Sequence, residues 1–103
     1  MRKRVYISGK ISDLSISDRK RNFLHAEIFL MQEHDIHPKN MVNPLNIMPL
    51  FGIDNWYCHM IVDIIVLVLF CNQIALQPNW VDSRGARIEK RIADFLNYKV
   101  IEL

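Results

Sequence analysis

Four stretches of strand character alternate with three of helical character along this chain, and that order constrains its fold more than any other property. The first expected strand is RVYIS, Arg4–Ser8, short, β-branched and aromatic, ending at Gly9. Ser17 or Asp18 stands where a helix cap is needed, and the helix that follows runs to about His34. Within it Leu24, Ile28 and Met31 repeat at helical spacing, and Phe23 and Leu30 widen the apolar stripe. A short strand is expected near His37 to Val42, closed by Asn43-Pro44. A loop with Pro44, Pro49 and Gly52 comes next, and Asp54 or Asn55 caps a second helix over about Trp56 to Phe70. QIALQ, 73–77, reads as the third strand and Pro78-Asn79-Trp80 as a turn. Ser83 opens a third helix reaching about Leu96, with Ile88, Ile92, Phe95 and Leu96 as its core stripe, and the last strand runs from Tyr98 to Leu103.

Short apolar strands separated by helices form parallel sheets, because each crossover returns the chain to the same edge and its helix covers a face. With right-handed crossovers the product is a small doubly wound α/β fold, flavodoxin- or Rossmann-like, with four to five strands and helices flanking both faces. The 103 residues, half of them hydrophobic and without internal repeat or linker composition, fit one domain over 1–103. Such sheets bind ligands beyond the C-terminal ends of their strands. That rule selects Ser8-Gly9-Lys10, Asn43-Pro44, Pro78-Asn79-Trp80 and Ser83 to Glu89.

Several classes of function are disfavoured. A net charge of +2, with basic clusters at Arg2-Lys3-Arg4 and Arg19-Lys20-Arg21, suits solvated element starts or a phosphate-attracting rim. A nucleic-acid partner would need a more basic domain and a recognisable motif. Cys58 and Cys71 form no CxxC pair, and although His59 follows Cys58 no His/Cys cluster has metal spacing, so no metal is expected. Free thiols and the lack of a signal-like apolar N-terminus suggest a cytoplasmic protein. MIVDIIVLVLFC, 60–71, is too short to span a bilayer and contains Asp63, so no membrane partner is expected. The 56–70 helix is nevertheless apolar all round, more than one sheet face can cover, which points to a homo-oligomer, a dimer or tetramer, through this helix.

At the ligand edge one glycine stands out. Gly85 falls in the first turn of the third helix, where glycine costs roughly 1 kcal/mol relative to alanine. Ser83 is a natural N-cap, and the first-turn N–H groups with the helix dipole favour an anion. Gly85, Glu89 and Ala93 lie on one stripe at i, i+4 and i+8, so small residues flank the carboxylate. Either Gly85 opens space in front of Glu89 for a ligand, or it allows close packing while Glu89 pairs with Lys90 or Arg91. Asp63 sits among Ile61, Val62, Ile64, Ile65, Val66 and Leu67. It is either a satisfied structural carboxylate or an acid facing the same cavity as Glu89. Tyr6 points away from Val5 and Ile7 on the first strand, either as a core tyrosine or as a hydroxyl that orients a carboxylate or a substrate. Two carboxyl groups in environments that separate their pKa values are the usual equipment for breaking a glycosidic bond.

YISGKI (6–11), VNP (42–44), the Asp63 helix, CNQIALQPNW (71–80) and SRGARIE (83–89) together resemble the nucleoside 2-deoxyribosyltransferase-like superfamily, in particular its small single-domain members such as the deoxynucleoside 5′-monophosphate N-glycosidases. The S-x-G-A-x-x-E pattern after a strand and a Trp turn carries most of the likeness. The resemblance implies that Glu89 is a nucleophile forming a covalent glycosyl-enzyme at C1′, that Tyr6 orients it or the sugar, and that Asp63 contacts the sugar or assists departure of the base. Ser8, Gly9, Ser83 and Gly85 match positions lining the sugar and its 5′ end, and the edge residues Lys10, Asn43 and Trp80 complete the expected substrate-binding set. No cofactor is implied, and the partner is a small-molecule nucleoside or nucleotide. Three positions depart from the pattern: Gly9-Lys10 stands for Gly-Pro, Cys71-Asn72 for Cys-Asp and Pro78-Asn79-Trp80 for Pro-Gly-Trp. The expected activity is cleavage or exchange of an N-glycosidic bond, with a catalytically silent nucleotide-binding module as the alternative.

Overall fold

A computed structural model of the chain describes residues 4–11, 13–46 and 56–103. The elements run β1 (Val5–Ser8), α1 (Ile16–His34), β2 (Met41–Val42), α2 (Trp56–Phe70), β3 (Gln73–Leu76), α3 (Arg84–Phe95) and β4 (Lys99–Glu102). The four strands form one all-parallel sheet in the order β2-β1-β3-β4. This is the small doubly wound arrangement anticipated from the alternation. β1 and β3 lie at its centre, with Tyr6 opposite Ile74 and Ser8 opposite Leu76.

The central strands are buried on both faces, as parallel sheets require. Val5 and Ile7 face α1 and pack with Phe23, Ala26, Leu30, Ala75 and Ile101. Tyr6 faces the opposite side with Ile74 and Leu76, against Leu67 of α2 and Ala93 of α3. The chain leaves β1 toward β2 on one side and reaches β3 on the other, so the switch point lies between β1 and β3.

The element boundaries differ from expectation in instructive ways. α1 is capped earlier, by Ser15, whose Oγ accepts from the Asp18 N–H at 3.1 Å. β2 has two residues because Pro38–Asn40 form a 3-10 turn, closed by His37 Nδ1 accepting from the Lys39 N–H. The cap expected at Asp54 or Asn55 lies outside the described residues. α1 and α3 stop at left-handed Asp35 and Asn97, residues able to take the positive φ that glycine usually supplies.

The expected helix stripes are corrected more strongly. α1 buries Phe23, Ala26 and Leu30, while Leu24 and Met31 are exposed. Its apolar residues form two overlapping stripes, and small Ala26 selects the one that lets the helix approach the sheet. α3 buries Ala86, Glu89 and Ala93, with Ile92 half-buried; Ile88 and Leu96 are exposed and Phe95 is 87% exposed. The face turned inward is the one with small residues and a carboxylate, not the one with the largest apolar side chains. Among the described residues no helix is long and apolar enough to cross a membrane.

Candidate active site

β1 supplies the first two polar groups. Residues 6 and 8 project from the same face of a strand, and both reach the same carboxylate. The Tyr6 hydroxyl donates to Glu89 Oε2 at 2.5 Å and the Ser8 hydroxyl to Glu89 Oε1 at 2.8 Å. Glu89 is presented from the second turn of α3, whose start is set by Ser83: its backbone is extended and its Oγ accepts from the Ala86 N–H at 3.1 Å. Tyr6 and Ser8 are fully buried and Glu89 is 4% exposed. Asp63, 6% exposed, enters from α2, and its Oδ1 has no hydrogen-bond partner among the described residues.

These groups surround a cleft of about 50 Å³ lined by Tyr6, Gly9, Asp63, Ser83, Gly85 and Glu89, with Ile11, Pro44, His59, Met60 and Ala86 completing the wall. Its place beyond β1 and beside the N-terminus of α3 is the switch-point position.

Burial sets the proton affinities. It pushes Glu89 up to about 8, while the Tyr6 hydroxyl pulls it down, the Asp63 charge adds to the rise and the Ser8 hydroxyl pulls it down. It pushes Asp63 up to about 7 against the pull of the Tyr6 hydroxyl. Tyr6 is raised well above its ordinary value by burial and then by the charges of Glu89 and Asp63. The carboxyl pair thus titrates as a coupled unit near neutrality. Hydrogen bonds from Tyr6 and Ser8 favour the charged form of Glu89, while burial, the larger effect, favours the neutral form of both carboxyl groups.

Of the ten residues expected at the site, six line the cleft and Ser8 acts through Glu89. The other three sit elsewhere. Asn43 is occupied at both ends of its amide: Oδ1 accepts from the Leu45 N–H at 2.9 Å and Nδ2 donates to Glu27 at 2.8 Å. Its neighbour Pro44 lines the cleft instead. Lys10 gives its backbone N–H to Asn79 Oδ1 at 3.0 Å. Asn79, standing where the resemblance has glycine, therefore ties the β1 loop to the β3 turn. Trp80 packs on the apolar cluster of the α2/α3 face with the Lys90 ammonium 5.9 Å from its ring centroid.

The pairing of Glu89 with Lys90 or Arg91 expected beside a packing role for Gly85 is not found: Glu89 is held by Tyr6 and Ser8, and Lys90 pairs with Asp94. Gly85 lines the cleft, yet a Cβ on it would stand 2.9 Å from Met60 Sδ, so α2 already uses the room it leaves. Gly9 has a packing role as well, since a Cβ there would meet the Gln77 amide at 2.5–2.8 Å. His59 and Met60 were missed from the sequence. The one usable signal was spacing, because His59 stands one helical turn before Asp63. Among the described residues no three metal-capable side chains converge.

No curated protein and no solved structure matches the chain. A family model described as a domain of unknown function, DUF4406, matches residues 3–102, and the chain belongs to that family.

Proposed function

We propose that the protein cleaves or exchanges the N-glycosidic bond of a (deoxy)nucleoside or its 5′-monophosphate, as a relative of the nucleoside 2-deoxyribosyltransferase-like enzymes. One observation carries this reading: a buried glutamate at the ligand edge of a doubly wound sheet accepts hydrogen bonds from Tyr6 and Ser8 on both oxygens and shares its cleft with Asp63. Hydroxyl donors hold the carboxylate in one orientation, as a nucleophile in a confined cleft requires.

In the proposed reaction Glu89 attacks C1′. The C1′–N bond breaks with its electron pair on the base, and Asp63 gives the base a proton, leaving a glycosyl ester on Glu89. Water, deprotonated by the Asp63 carboxylate, then attacks C1′, the ester bond breaks and Glu89 returns to its carboxylate form. A second base in place of water makes the reaction a transfer.

The cleft is small beside the ~300–1,000 Å³ of ordinary ligand sites. A nucleoside therefore enters with displacement of a wall, and Met60, the flexible side chain seated against Gly85, is the wall that can swing. The same tightness favours the second reading, a module that binds a nucleotide without turnover. The outer face of α2 carries Ile61, Ile65, Val68 and Leu69 at helical spacing, all exposed. We assign that face to a homo-oligomer contact, and a clean monomer at micromolar concentration in sedimentation would remove it.

The deciding experiment incubates the protein with the common nucleosides and 5′-monophosphates and follows free base by chromatography. Base release that disappears in Glu89→Gln supports the enzyme. Ligand-induced thermal stabilisation that survives Glu89→Gln, with no product from the wild type, supports the silent binder. The absence of both overturns the reading.

A further inference from the structure

α2 turns two polar side chains toward the cleft, His59 and Asp63, one helical turn apart. The reaction above uses Asp63 and gives His59 nothing to do. Yet both end in a buried polar atom without a partner among the described residues, Nε2 of His59 and Oδ1 of Asp63. Buried polar atoms are almost always satisfied, and two orphans on one wall of one cleft point to a ligand group that satisfies both.

The chemistry of the pair narrows that group. A carboxyl oxygen accepts, and an imidazole N–H donates. A hydroxyl is their complement, since it gives one hydrogen and accepts another through a single atom. The topology agrees. α2 leads into β3 of a parallel sheet and so runs against the strands, which puts His59 one turn nearer the open edge than Asp63. A sugar held with C1′ at Glu89 extends from the deep end of the cleft toward that edge.

We propose that His59 and Asp63 together bind the secondary hydroxyl of the substrate's sugar, the 3′-hydroxyl in a deoxynucleoside, with the hydroxyl donating to Asp63 Oδ1 and accepting from His59 Nε2–H. This rests on the glycosidic reading of the site. Oδ1 is then committed to the sugar, and the second Asp63 oxygen is left for proton transfer to the base. His59 becomes a specificity-determining residue that separates sugars with this hydroxyl from those lacking it.

The test compares a 2′-deoxynucleotide with its 2′,3′-dideoxy counterpart. Wild-type kcat/KM should fall roughly ten- to a hundredfold when the hydroxyl is removed. His59→Ala should lose about as much on the deoxynucleotide and then discriminate little between the two. His59→Gln, which places an amide N–H near the position of Nε2, should recover part of the discrimination. Equal losses on both substrates in His59→Ala mean a structural role and overturn the proposal, as does no loss. The same pair of ligands is titrated into Glu89→Gln and into Glu89→Gln/His59→Ala by calorimetry. Hydroxyl discrimination that appears in the first and vanishes in the second, from a wild type that releases no base, supports His59 and rejects the reaction. Cleavage by the wild type with an unchanged preference in His59→Ala rejects His59 alone. Neither cleavage nor binding rejects both.

Discussion

β1 serves two unlike neighbourhoods from adjacent residues. Val5 and Ile7 look into an apolar layer closed by Phe23, Ala26 and Leu30 of α1. Tyr6 and Ser8 look the other way, onto a buried carboxylate. The first face is held by burial and dispersion, which are indifferent to pH. The second confines two carboxyl groups and a phenol, at a cost in stability that depends on their protonation. The α1 face therefore supplies stability and the α2/α3 face gives some of it up to hold buried carboxyl groups, so substitutions on the two faces should separate cleanly.

Two substitutions test that separation most severely. Glu89→Gln should lower base release by roughly a thousandfold or more while circular dichroism and oligomeric state stay unchanged. Phe23→Ala should do the reverse, costing about 3–5 kcal/mol in urea unfolding with turnover per folded molecule unaltered. If Phe23→Ala silences chemistry in a folded protein, or Glu89→Gln unfolds it, the two faces are not independent.

The pH dependence of stability comes next in size. Burial raises Asp63 from 3.8 to about 7 and Glu89 from 4.5 to about 8. Between those limits the folded protein holds more protons than the unfolded chain, so stability must fall as pH rises from about 4 to about 8. Glu89→Gln or Asp63→Asn should flatten that fall and leave the protein more stable than wild type at pH 8, by about 2 kcal/mol. Thermal unfolding across the range checks it, and Phe23→Ala supplies the contrast, because its deficit should be equal at both ends. The same pair predicts a bell-shaped kcat/KM with limbs near 7 and 8.

Tyr6→Phe is a finer probe. It keeps the ring that packs in the α2/α3 face and deletes the donor to Glu89. Turnover should fall roughly ten- to a hundredfold, and Glu89 should titrate higher because a hydrogen bond that pulls it down is gone. A loss confined to KM would move Tyr6 from orienting the carboxylate to binding substrate.

This contrast also explains what was legible in the sequence. The parallel sheet and its ligand edge follow from alternation and handedness, which survive errors in single residues; the order β2-β1-β3-β4 came only with the structure. The helix faces did not follow, because apolar residues nearly ring α1 and form a broad arc on α3, so periodicity alone offers competing stripes. Small residues settled the matter: Ala26, Ala86 and Ala93 mark the faces that approach the sheet, while Leu24 and Phe95 remain outside. Glu89, Asp63 and Tyr6 were readable as odd residues in apolar settings. Ser8, expected beside the sugar, donates to Glu89, and its i, i+2 relation to Tyr6 puts both hydroxyls on one face. Asn43 misled because an Asn-Pro turn at the ligand edge suits a binding loop as well as it suits the Asx turn that occupies its side chain.

The smallest expected effect, and the one that best sharpens the comparison, belongs to Gly85. Alanine there removes a helix cost of roughly 1 kcal/mol. Its Cβ would also meet Met60 Sδ at 2.9 Å, and a thioether near the end of a flexible side chain can give way. The two terms nearly cancel, so Gly85→Ala should change unfolding stability by less than about 1 kcal/mol in either direction. Activity should respond more, because a displaced Met60 moves into the cleft it lines, and turnover should drop several-fold with KM taking most of the change. Met60→Ala in the Gly85→Ala background should restore activity while costing stability, since it empties the space beside the new methyl. Restoration would show that the glycine serves the cleft through Met60. Continued loss of activity in the double variant would mean that the substrate itself needs the room at residue 85.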